Sequence, residues 1–267
     1  MTVLLYCIFR SEEAKIRELS HGLRAQPLVM VSTKRMAAVI SKFESTGGPV
    51  NVADALAYHE VIASFHSKRT VIPIRFGTVF DQPLEIQRLL EVREEKYSTL
   101  LEDLDGHVEL GIRLIPSALD SPVTRDRYQS TPHEILRRES GGPGTAYLSR
   151  RKSVYSEDQS RNHWTNRVVE KYRRPFLGLF KRMNFETSEP GYSPHETPAG
   201  LFSLYFLVPR RSVAAFREAF QRLKSQETAK MLLSGPWPPY NFVSPEAGPG
   251  KPSVLRQIEQ PYTEVDS

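Results

Sequence analysis

The chain has 267 residues, of which 39% are hydrophobic and 25% charged, with a formal net charge of +5. That length suits two domains better than one, and the composition is that of an ordinary folded protein without an eighteen-residue apolar run able to cross a bilayer. The single cysteine, Cys7, excludes an intrachain disulfide and reads as a small buried residue in a reducing compartment. Basic clusters at Arg150-Arg151-Lys152, Lys171 to Arg174 and Arg210-Arg211 have acidic residues close to most of them, so they read as solvated faces rather than a nucleic-acid footprint.

Val3 to Phe9 alternates as a first strand. The stretch around it is too short for a signal peptide and lacks a basic n-region, so export is not expected. Ser11 is placed to cap a short helix running to Leu19. Leu28 to Val31 and Ala37 to Phe43 read as strands, closed by the Gly47-Gly48-Pro49 turn. Asn51 can then cap a helix through His66 that is apolar on two faces. Val52, Ala55, Leu56, His59, Ile62, Ala63 and His66 form one stripe, and Tyr58, Val61 and Phe65 form another. A helix of this kind is expected to be covered on both sides.

A strand from Thr70 to Phe80 follows, and Arg75 interrupts its apolar character. A buried guanidinium needs a partner, and Glu60, one helix back, is the candidate for a structural ion pair with Arg75. An Arg on an exposed edge is the alternative, which Pro73 favours. Asp81 is expected to cap a long helix with Ile86, Leu90, Tyr97, Leu100, Leu101 and Leu104 along one seam, stopped by Gly106. Residues 1–106 thus read as an N-terminal α+β domain.

His107 to Ile115 reads as a half-buried strand, with Val108, Leu110, Ile112 and Leu114 inward and His107, Glu109, Gly111 and Arg113 outward. Apolar content collapses over residues 116–143, which are expected to form a mobile insertion. A helix opening at Gly144 is expected to continue through Trp164, Val168, Val169 and Tyr172 until Pro175 ends it. Lys181 to Glu186 and Leu201 to Pro209 read as strands, the latter central because both its faces are apolar. Ser212 opens a helix with Val213, Phe216, Phe220 and Leu223 inward, and Met231 to Phe242 is the last extended segment. Strand, helix, strand, strand, helix, strand is the ferredoxin-like order. The expected fold is therefore α+β in two domains, the C-terminal one (107–242) a modified ferredoxin-like βαββαβ sandwich, with residues 243–267 as a disordered tail.

Few motifs suggest chemistry. His59-Glu60 begins a two-histidine zinc pattern that fails at Ala63, so no metal site is expected. No nucleophile elbow or cysteine cluster is present, and Gly141-Gly142-Pro143-Gly144 lacks the lysine and hydroxyl of a phosphate loop. Neither a cofactor nor catalysis is expected. Gly235 to Phe242, GPWPPYNF, combines stiffness with ring area. Pro236, Trp237, Pro239, Tyr240 and Phe242 are therefore candidate partner-binding residues. The competing reading is a clip folded over its own sheet, with Trp237 and Phe242 buried.

ADALAYHEV with RTVIPIRFGTVF, then HVELGIRL, GTAYLSRRK and GPWPPYNF, follow one another between Ala53 and Phe242. In sequence and order they resemble the gas vesicle protein family GvpL/GvpF. The resemblance implies a two-domain α+β fold whose second domain is a modified ferredoxin-like one. It also implies a non-catalytic, cytoplasmic role in gas vesicle formation, as an accessory or minor vesicle component. The partners it implies are the apolar shell protein GvpA and other accessory Gvp proteins. An RNA-binding ferredoxin-like module is the alternative, but Leu201 to Val208, LFSLYFLV, has no glycine or lysine of the RNA-recognition signature. Binding to nucleic acid or to membrane is not expected.

Overall fold

A computed structural model of the chain describes residues 1–13, 21–44, 51–115, 162–188, 201–243 and 256–259. The fold is mixed α and β with two antiparallel sheets. Compact packing divides the chain into two units. The first is Met1–Leu110 with Leu207–Arg211 and Gly235–Val254, and the second is Gly111–Phe206 with Ser212–Ser234 and Leu255–Ser267. The boundary expected between 106 and 107 differs from this division, which assigns Gly235 to Phe242 to the same unit as the N-terminal residues.

In the first unit, β1 (Thr2–Arg10) is the centre of the sheet. It pairs antiparallel with β3 (Met36–Phe43), which in turn pairs with β2 (Val29–Ser32). The two-residue strands β4 (Ile72–Pro73) and β5 (Val79–Phe80) line its other side. The register of β1 against β3 shifts between Leu5 and Cys7. This bulge sends the consecutive residues Tyr6 and Cys7 to the same face. Val3, Leu5 and Ile8 therefore join one core, while Leu4, Tyr6, Cys7 and Phe9 join the other.

Helix α1 (Val52–His66) covers the second of these faces with Tyr58, Val61, Ile62 and Phe65. Its start is fixed by a capping box: Asp54 N–H donates to Asn51 Oδ1 at 2.8 Å, and the Asn51 N–H donates back to Asp54. Arg24 grips the same carboxylate through Nη2 at 2.6 Å and Nε at 3.2 Å, holding it below the usual carboxylate range. The opposite face of the sheet is covered by α2 (Pro83–Val92) and α3 (Glu94–Leu104) through Ile86, Leu90, Tyr97 and Leu101. One long helix was expected here; the backbone leaves helical geometry at Arg93 and splits it in two, while the apolar seam continues across the break.

The strand expected from Thr70 to Phe80 is also broken. Thr78 donates to the Arg75 carbonyl from both its N–H (3.2 Å) and its hydroxyl (2.8 Å), and Gly77 has a φ of +85°, so the chain turns away between β4 and β5. Arg75 sits exposed on that turn.

The second sheet has the order β10-β7-β8-β6-β9, where β6 is His107–Ile115, β7 Arg182–Ser188, β8 Leu201–Pro209, β9 Lys230–Trp237 and β10 Arg256–Glu259. Leu201–Pro209 is central, as its two apolar faces predict. Of the tail 243–267, Arg256–Glu259 pairs antiparallel with β7. Helical residues 162–173 (α4) bury Val168, Val169 and Tyr172 and end just before Pro175. Helix α5 (Val213–Gln226) buries Phe216, Ala219, Phe220 and Leu223. Phe176 stacks on Phe216 at 4.2 Å, and Phe180 and Phe206 complete this ring cluster. The insertion at 116–143, the start of the helix at 144–152 and most of the Ser11 to Leu19 helix lie outside the described residues.

Candidate functional site

The Gly235 to Phe242 segment is anchored by one buried acid. Glu109 on β6 was expected to point outward, yet it is only 3% exposed. Its carboxylate accepts the Asn241 N–H at 2.8 Å on Oε2 and the Asn241 side-chain amide at 2.6 Å on Oε1. A buried carboxylate needs such donors. Tyr240–Phe242 forms a short 3-10 turn between them, with Phe242 N–H bonded to the Pro239 carbonyl at 3.2 Å. At the segment's start, Gly235 has a φ of +100°, and a Cβ there would stand 2.6 Å from the Glu109 carbonyl oxygen. Only glycine fits so close to the β6 backbone.

This anchoring divides the candidate residues. Pro239 and Phe242 are buried and Tyr240 is half-buried, whereas Pro236 and Trp237 face outward, Trp237 with 39% exposure. The clip reading therefore describes Pro239 and Phe242, and Trp237 departs from it. Tyr240 is hydrogen-bonded to His59 on α1, Nδ1 to hydroxyl, at 3.0 Å. The same imidazole meets the edge of the Trp237 indole at 4.9 Å. Burial lowers the His59 pKa and raises that of Tyr240, so both are neutral near pH 7.

Beside this contact, α1 departs from expectation. Its stripe at Val52 and Leu56 is not covered: these side chains are 77% and 58% exposed, and Ala55 is exposed with them. Asn51 to His59 thus presents an outer face without a charged group, since Asp54 turns inward to Arg24. Lone exposed apolar residues are ordinary; here Val52 and Leu56 lie along one face of α1, which leads to His59 and the exposed Trp237.

The other candidates fare differently. Glu60 and Arg75 are both exposed, and no ion pair joins them among the described residues. The burial that would demand the pair is absent. His59 and His66 also do not converge on a ligand set; no group of three or more metal-binding side chains occurs among the described residues. His66, at the end of α1, is instead held by Arg210, whose Nη2 donates to the His66 carbonyl at 2.7 Å and meets its Nε2 at 3.1 Å. Burial and the neighbouring guanidinium push its pKa down to about 4. No helix of the described residues is long and apolar enough to cross a membrane.

Comparison with known proteins agrees with this architecture. The chain is 25% identical over 252 residues to gas vesicle protein F of a Streptomyces species, covering 91% of this chain and all of that one. It is 24% identical over 261 residues to gas vesicle protein L of the same species, with 89% and 91% covered. The crystal structure of gas vesicle protein GvpF from Microcystis aeruginosa superposes with a TM-score of 0.62 at 14% identity, covering 90% of this chain and 98% of that one, and so shares the fold. The family model described as gas vesicle synthesis protein GvpL/GvpF matches residues 2–244. The chain belongs to the GvpL/GvpF family of gas vesicle synthesis proteins.

Proposed function

We propose that this protein is a non-catalytic assembly factor or minor component of the gas vesicle. In this reading it works in the cytoplasm and binds the apolar shell protein GvpA and other accessory Gvp proteins while vesicles form. The observation that carries the reading is the outward Trp237, packed on His59 beside the uncovered Val52 and Leu56. Subunits of a gas-facing wall expose apolar surface before they assemble. A strip without charge can shield such surface, while the buried Glu109 to Asn241 anchor keeps the tryptophan presented.

A modified ferredoxin-like C-terminal domain fits the same picture. Its support is the strand order, in which β6 lies between β8 and β9 and β7 flanks β8. Phe202 and Phe206 of β8 are buried rather than available for base stacking, which favours a protein partner over RNA. The test is co-purification of the full chain with GvpA, comparing wild type with Trp237→Ala. Wild type should retain the shell protein and the variant should lose it while keeping its fold. Equal retention by both would overturn the assignment of this surface.

A further inference from the structure

A second feature of the first unit is a polar cavity of about 430 Å³ where α1 ends. Among its lining residues are His66, Lys68, Arg69, Thr70, Asp105 and Arg210. Three cationic residues and one carboxylate thus line it. Asp105 is already engaged through Oδ1, which accepts the Thr70 hydroxyl at 2.5 Å.

Two of the cations are held in place before any ligand arrives. The Arg69 guanidinium lies 5.0 Å from the Phe9 ring centre and 5.6 Å from that of Phe65. Arg210 is tethered to His66 through Nη2 alone, and its backbone N–H is bound to the Gly106 carbonyl at 2.9 Å. That tether caps the carbonyl end of α1. It leaves the Nη1 and Nε hydrogens of Arg210 with no acceptor among the described residues. His66 is neutral above about pH 4 and adds no positive charge.

We propose that this cavity binds a phosphate-type oxyanion, with Arg210, Lys68 and Arg69 supplying the charge. Guanidinium groups fixed in orientation lose little freedom on binding an oxyanion, and their charge-assisted hydrogen bonds are stronger than neutral ones. Convergence of several cations favours a multiply charged group over a single carboxylate, and the volume admits a diphosphate. This site is independent of the surface around Trp237.

The test is calorimetric titration of the full chain with sodium pyrophosphate at constant ionic strength, on wild type and Lys68→Gln. Saturable one-to-one binding is expected, weakened about fivefold by K68Q, as for loss of one charged contact. Lys68 is exposed, and the thermal midpoint of K68Q without ligand reports whether its fold is kept. An Arg210→Gln variant should lose more binding, and its circular dichroism reports whether α1 stays capped. Heats that fail to saturate by about 10 mM, or K68Q binding as tightly as wild type, would overturn the site.

Discussion

Asn241 satisfies both oxygens of the buried Glu109 carboxylate, one from its backbone and one from its side chain. A single residue thus supplies two donors to a charge that water barely reaches. Replacing Asn241 by Ala removes one of them and should destabilise the protein by about 2 kcal/mol. Urea denaturation followed by tryptophan fluorescence measures this. Asn241→Asp should be worse, because it sets a second carboxylate against the first.

Gly235 and Gly77 form a matched pair for testing backbone constraint. Both have positive φ, but a Cβ at Gly77 meets nothing within 4 Å, whereas at Gly235 it meets the Glu109 carbonyl oxygen at 2.6 Å. Gly77→Ala should cost about 1 kcal/mol, from conformation alone. Gly235→Ala should cost at least about 2 kcal/mol more, since a fixed backbone atom must shift. Equal midpoints for the two variants in parallel thermal melts would contradict this contrast.

His66 makes stability depend on pH in a defined direction. Its folded pKa lies at about 4, below the ordinary value of 6.5. Between those values the unfolded chain takes up the proton and the folded protein does not. The contribution is therefore complete above pH 6.5 and lost as pH falls toward 4, amounting to about 3 kcal/mol. Comparing wild type with His66→Gln across this range isolates it from other titrating groups. The difference between the two should narrow as the solution is acidified.

Trp237 and Phe242 lie five residues apart yet should respond in opposite ways. Phe242 is buried, and Phe242→Ala should cost about 3–5 kcal/mol. Trp237→Ala should cost far less, because the indole is 39% exposed. Leu56→Ser, at an exposed position, should stay within about 0.5 kcal/mol of wild type. Both surface variants should reduce GvpA retention on the column used to test the proposed function.

Periodicity made much of the first unit legible. The alternation of β1, the stripe of Tyr58, Val61 and Phe65 on α1, and the seam from Ile86 to Leu104 all follow from their spacing. Glu109 escaped because its position in an alternating strand reads as outward, and its burial depends on an Asn 132 residues later. For Arg75 the apolar residues around it suggest a continuous strand and a buried pair with Glu60. Gly77 and the Thr78 hydroxyl instead turn the chain out and leave Arg75 exposed, the alternative that Pro73 favours. Val52 and Leu56 carry the same ambiguity in reverse: hydrophobicity marks a face that should be covered, but not whether the cover belongs to the same chain.

The bulge at Tyr6 and Cys7 has a bearing on misfolding. Residues before it and after it alternate in opposite phase, so sliding β1 by one position along β3 cannot place both halves of the strand correctly. A uniform strand this apolar could settle in a neighbouring alignment, or template onto a stray segment. The extra residue removes those alternatives, giving a protein proposed to handle greasy partners a central strand with one permitted alignment.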